Sequence, residues 1–309
     1  MAYLTTHGPV KAVDGVSIAI QPGEVVGLAG ESGSGKSTIA HAILRILHPP
    51  ALITGGQVVF DGHDILEMDD AELGQFRWSK ISIVFQSAMN ALNPVMKIRD
   101  QITDSMRQHG LSKSEANERA ATLFDLVGIE PQRLDSYPHQ LSGGMRQRAV
   151  IAIALALNPP LLIMDEPTTA LDVVVQKEIL KQIASLREKL GFSILFITHD
   201  LSLLVEISDN IAIMYAGEIV ERALARELFE LPMHPYTLGL MNSFPSISGA
   251  RYKLTGIPGS PPDLMAPPAG CRFHPRCPKA MPVCSKDAPL NRFISSSHSV
   301  ACHLFDTDH

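Results

Sequence analysis

The chain reads as an α/β protein built on a buried parallel sheet, and three observations predict it. Four short runs, at 25–29, 81–85, 161–164 and 194–198, are continuously apolar and β-rich, as strands covered on both faces must be. A glycine-rich loop follows the first run and leads into an apolar helical stretch at 39–47. Each run also ends on a residue suited to nucleotide chemistry: Lys36 beyond the first loop, then Gln86, then Asp165 with Glu166, then His199. Ligands of open α/β sheets sit outside the carboxyl ends of the strands, so these five residues are expected to converge on one crevice.

The loop Gly30-Glu31-Ser32-Gly33-Ser34-Gly35-Lys36-Ser37, followed by Thr38, fits G-x-x-x-x-G-K-[ST] between a strand and a helix. Its glycines let backbone amides turn toward a β-phosphate, and the helix N-terminus adds positive potential. Lys36 would reach the β- and γ-phosphates, and the Ser37 hydroxyl would ligate Mg²⁺. Residues 57–65 carry Asp61-Gly62 between β-rich flanks, a hairpin suited to an antiparallel sheet near the adenine. Residues 98–140 read as mostly helical, with starts near Ser112 and Ser114 and a stop near Gly128. Ser142 can cap a helix from Met145 through 149–157, while Gly143 and Gly144 leave amides open to an anion. Asp165 would hold Mg²⁺, directly or through water, and Glu166 would orient and deprotonate an attacking water. The stretch 173–190 is an amphipathic helix with Ile179, Leu180, Ile183, Leu186 and Leu190 on its core face.

Composition sets limits. A length of 309 residues allows one sizeable core and a smaller unit. A net charge of −6 and a pI near 6.0 argue against a general nucleic-acid binder. No secretory signal opens the sequence, and its most apolar segment, 149–164, is interrupted by Asn158-Pro159-Pro160 and too short to span a bilayer. Any membrane is expected to be met through a partner.

The stretch Leu141-Ser142-Gly143-Gly144-Met145-Arg146-Gln147-Arg148 resembles the LSGGQ signature of the ATP-binding cassette family, with Met145 in the last position. That resemblance implies a P-loop NTPase cassette: a RecA-like parallel core, an antiparallel β subdomain, and a helical subdomain at about 98–145. It also implies that Ser142, Gly143 and Gly144 serve the γ-phosphate held by a second cassette. By the same resemblance Tyr3 stacks on adenine, Gln86 is the Q-loop glutamine and a further Mg²⁺ ligand, and His199 is the switch histidine. Thr169-Ala170-Leu171-Asp172 looks like the D-loop. Members have several residues of strand before the adenine aromatic, whereas Tyr3 stands almost at the terminus.

From 231 onward the texture is that of an extension, set against a cassette at 1–230. His234-Pro235-Tyr236-Thr237, the proline-rich 257–262 and Tyr137-Pro138-His139-Gln140 resemble the ATP-binding subunits of dipeptide and oligopeptide importers. The same branch includes nickel, glutathione and oligosaccharide importers. The resemblance implies two transmembrane permeases, an extracytoplasmic binding protein, a second and different ATPase chain, and a site at the cytoplasmic membrane face. A soluble cassette ATPase of DNA repair or translation stands as the alternative, disfavoured by the lack of a coiled coil. A nucleotide sensor without hydrolysis is disfavoured by Glu166.

All four cysteines lie in the extension: Cys271, Cys277, Cys284 and Cys302. In a reducing compartment a disulfide is the least expected reading, and four thiolates in a segment short of core suggest a metal staple. Zinc ordinarily shows shorter C-x₂₋₄-C spacings. Four thiolates also suit a [4Fe–4S] cluster, which the resemblance supports; zinc and unligated thiols stay open. Arg272, Arg276, Lys279 and Lys286 could offset a cluster's charge or simply face solvent. Every residue assigned to hydrolysis precedes position 200, so ATPase chemistry is expected to survive without the extension.

Overall fold

The four apolar runs are strands, Val25–Ala29, Ile81–Val84, Leu161–Asp165 and Ser193–Thr198, and every residue in them is buried. The computed structural model describes residues 1–6, 8–86, 91–169, 171–243 and 256–306. Contacts group the chain into two units, one of Met1–Ala19, Val26–Gln57 and Ile197–His309, the other of Ile20–Val25 and Val58–Phe196.

In the first unit Asn210–Tyr215 runs parallel to Val25–Ala29, with Ile211 opposite Gly27. On its other side Glu218–Leu224 pairs antiparallel, with a bulge between Ile213 and Met214. The sheet then continues through two strands of the extension, Ser299–Ala301 and Asn291–Phe293, both antiparallel. That continuation is not legible in periodicity, because each strand is three residues long. The expected antiparallel sheet is also present: Ala2–Thr5 lies between Gly8–Lys11 and Ala51–Leu52. The helix after the phosphate loop is Lys36–Ile43, shorter than 39–47, because Arg45 turns into the left-handed region at φ 51.

In the second unit Leu161–Asp165 lies between Ser193–Thr198 and Ile81–Val84, parallel to the latter with Ile81 opposite Leu161. Helices Ile98–Gln108 and Lys113–Leu126 bury Ile98, Ile102, Met106, Ala116, Ala120, Leu123 and Phe124. Ser112 caps the second of these in a capping box with Glu115, a device worth about 1 kcal/mol. Helix Val173–Leu190 begins on the Asp172 cap, ends on left-handed Gly191, and buries Ile179, Leu180, Ile183 and Leu186 of the expected core face, while Leu190 at its end is half-buried. The hairpin at 57–65 forms as Val59–Phe60 against His63–Asp64, with Asp61 and Gly62 both at positive φ. Among the described residues it is a two-stranded sheet of its own, hydrogen-bonded to no antiparallel sheet.

Candidate functional site

The phosphate loop is shaped by two glycines that tolerate no side chain. A Cβ on Gly30 would stand 2.1 Å from the Met214 carbonyl oxygen, and one on Gly35 2.1 Å from that of Ala12. Both also hold positive φ, 157° and 106°. The buried Lys36 Nζ donates to the carbonyls of Gly30 at 2.8 Å and Glu31 at 2.9 Å, with Ser34 Oγ at 3.5 Å. Ser34 accepts from Gly217 N–H through its own carbonyl, which ties the loop to the turn after Asn210–Tyr215. Ser37 and Thr38 open the helix, half-buried, and Thr38 Oγ1 lies 3.3 Å from the Tyr3 hydroxyl. Tyr3, in strand Ala2–Thr5, therefore stands beside the first turn of that helix, while the exposed Ser32 and Gly33 form the tip of the loop. His199, also in this unit, is exposed at the end of Ser193–Thr198.

The second unit collects the other expected residues. Asp165 closes its strand and is 3% exposed. Glu166 follows in the left-handed region at φ 46, a conformation a non-glycine residue adopts only when its surroundings impose it. Its Oε2 accepts from Gln86 Nε2 at 2.9 Å and from Thr169 Oγ1 at 3.0 Å. The sequence names Glu166 and Gln86 separately; their bond, and Thr169 as a second donor orienting the carboxylate, appear only in three dimensions. Ser142 is exposed and caps helix Gly143–Ala154 through Met145 N–H, leaving Gly143 and Gly144 at its first turn. Asp172 caps Val173–Leu190; Ala170 of the expected D-loop lies outside the described residues.

Among the described residues no group of three or more His, Cys, Asp or Glu side chains is arranged to hold a metal ion, so Cys271, Cys277, Cys284 and Cys302 are not an assembled ligand set here. Two of them are neighbours: Cys271 N–H donates to the Cys284 carbonyl at 2.9 Å. Burial, with the other thiols' charges adding to it, pushes Cys271 and Cys302 up to about 11. Four soft donors that cannot ionise together suit a bound cation in chemistry, though their arrangement as described is not closed. Arg272 and Arg276 neither face solvent nor stand free for a cluster. Arg272 donates to the Ala216 carbonyl and to Asp14, and Arg276 pairs with both carboxylate oxygens of Glu31 at 2.7 and 3.0 Å.

Tyr236 also reaches the phosphate loop, its hydroxyl accepting from Glu31 N–H at 2.9 Å. It is fully buried against Tyr215 and Phe273. His234 caps helix Pro235–Met241 by accepting from Tyr236 N–H at Nδ1, and its own N–H donates to the buried Glu221. Burial pushes the His234 imidazole down to about 3, so it stays neutral. The expectation that ATPase chemistry survives without the extension therefore meets two direct contacts with the loop, from Tyr236 and from Arg276.

The ABC transporter family profile matches residues 13–169, and that of the oligopeptide/dipeptide transporter C-terminal region matches 220–284. The chain is 43% identical to a dipeptide transport ATP-binding protein of Caldanaerobacter subterraneus subsp. tengcongensis, over 98% of this chain and 94% of that protein. It is also 43% identical to an oligopeptide transport ATP-binding protein of Bacillus subtilis, over 100% of this chain and 87% of that one. Among solved structures it resembles a dimeric bacterial ABC transporter cassette, at 32% identity and TM-score 0.64, over 73% of this chain and 95% of that one.

Proposed function

The chain belongs to the ABC transporter family, and we propose that it is the ATP-hydrolysing subunit of an importer for dipeptides and oligopeptides. One observation carries the reading: a glycine-shaped phosphate loop and an importer-type C-terminal region occur in the same chain, whose likeness to peptide-transport subunits is nearly full-length.

In this reading residues 1–230 are the ATPase cassette, with a helical insertion at about 98–145, and 231–309 the extension. Loop residues 30–38 bind the triphosphate, Lys36 at its β- and γ-groups, and Tyr3 stacks on adenine. Ser37, Gln86 and Asp165 hold Mg²⁺, which neutralises developing phosphate charge. Glu166, oriented by Gln86 and Thr169, takes the proton of the attacking water, and His199 contacts the γ-phosphate. Ser142, Gly143, Gly144 and the Asp172 loop serve ATP bound by a second ATPase chain. Closure of that pair on ATP and its opening after hydrolysis would drive two permeases at the cytoplasmic membrane face, fed by an extracytoplasmic binding protein. No helix among the described residues is long and apolar enough to cross a membrane itself. Cys271, Cys277, Cys284 and Cys302 would hold a thiolate-bound metal centre, [4Fe–4S] or zinc, that staples the extension.

The test is ATP hydrolysis by the complex of this chain with the permeases and binding protein that co-purify with it. Di- or oligopeptides should stimulate it. Stimulation by nickel, glutathione or an oligosaccharide with peptides inert would replace the substrate, and ATPase activity that never associates with permeases would favour a non-transport role.

A further inference from the structure

We infer that Arg276 is a positioning residue for ATP binding, acting by neutralising a carboxylate that the phosphate loop itself carries. The inference rests on the loop being the ATP site. Glu31 is the second residue of an anion-binding loop, where an unpaired negative charge would repel a triphosphate. Its backbone is held on both sides, the N–H by Tyr236 and the carbonyl by Lys36. Its carboxylate is gripped by Arg276 through two parallel bonds, the strong bidentate form of this pair.

The guanidinium is itself built into place. Only 6% of the Arg276 side chain is exposed; its Nε donates to the Pro258 carbonyl at 2.8 Å and one terminal nitrogen approaches the Tyr215 hydroxyl at 3.3 Å. Pro261 and Pro262 line a small cavity together with Glu31, Ser32 and Gly33, so the proline-rich segment also lies against the loop. Arg276 immediately precedes Cys277. The extension thus supplies the positive charge that makes an acidic residue compatible with phosphate binding.

Charge neutralisation and mere bracing predict opposite results in a double substitution. MgATP binding to the full chain, measured by fluorescence titration, should weaken at least about tenfold in Arg276→Gln, the scale a like charge a few ångströms away imposes at surface dielectric. Glu31→Gln alone, which keeps the loop's backbone amides and removes only the charge that Arg276 offsets, should bind more tightly than the parent. Glu31→Gln with Arg276→Gln should return to within about twofold of the parent, because the offending charge is gone. Were the pair only a brace, the double variant would bind as poorly as Arg276→Gln, and that result would overturn the inference. So would parental binding by Arg276→Gln. Arg276→Lys covers the case in which the glutamine variant fails to fold; it keeps the charge and should stay within about threefold, whereas a tenfold loss would show that charge is not what matters. Arg292→Gln, which removes an extension salt bridge to Asp306 instead, should leave affinity unchanged. Lys36→Ala keeps the premise separate: parental binding that it left intact would refute the loop as the ATP site, whatever Arg276 did.

Discussion

The phosphate loop and the C-terminal extension are built by opposite means. Much of the loop's shape comes from its own residues, since Gly30 and Gly35 take up positive φ and Lys36 folds back on the carbonyls of Gly30 and Glu31. Among its described residues the extension has short 3₁₀ turns, two three-residue strands and one seven-residue helix, so little local structure holds them. Its ties are distant in sequence: Arg276 to Glu31, Arg272 to Asp14, and His298 to the buried Glu221 at 2.7 Å. A motif that organises its own backbone can be read from eight residues. A segment organised by partners 70 to 260 positions away cannot, although it touches the same loop.

If the nucleotide motifs carry the chemistry and the extension only tunes it, the largest effect belongs to Glu166→Gln. That change keeps shape and removes basicity, so kcat should fall by roughly 10²–10⁴ with ATP binding retained; near-normal turnover in the assembled complex would break the contrast. Ser142→Arg should come next, sparing ATP binding by the isolated chain while blocking ATP-driven pairing in light scattering. Loss of binding by the monomer would mean that the signature acts within its own chain.

The extension should respond differently. Serine at any one of Cys271, Cys277, Cys284 or Cys302 should remove its protease resistance if a metal supplies folding energy the segment lacks. Elemental analysis of anaerobically purified protein sharpens this, with about four irons per chain expected for a cluster and one zinc for a Cys₄ site. A smaller effect falls on Thr169→Ala. Losing one hydrogen bond to the Glu166 carboxylate should lower kcat about tenfold at unchanged ATP affinity, as a contribution of about 1.5 kcal/mol predicts.

The smallest effect is a pH slope. The His234 imidazole is pushed down to about 3 in the fold, below its ordinary 6.5, so the unfolded chain binds the proton more readily. The stability contributed by neutral His234 is present above pH 6.5 and lost as the pH falls toward 3. His234→Asn, which can still cap Tyr236 N–H, should flatten melting temperature against pH across that window. An unchanged slope would remove His234 from the acid response.

What the sequence determined by itself was everything governed by short-range rules. The period of apolar runs, glycine-rich turns and side-chain caps such as Ser112 and Ser142 act within a few residues, and they disclosed four buried strands, the main helices between them and the phosphate-loop and signature motifs. Tertiary structure alone decided which polar groups meet. Glu166 shares an oxygen between Gln86 and Thr169, the extension adds strands to a sheet begun near residue 25, and two arginines that could have faced solvent close onto Asp14 and Glu31. A buried charge must find an opposite partner wherever the chain provides one. The identity of that partner depends on the path of the whole chain, which no local pattern records.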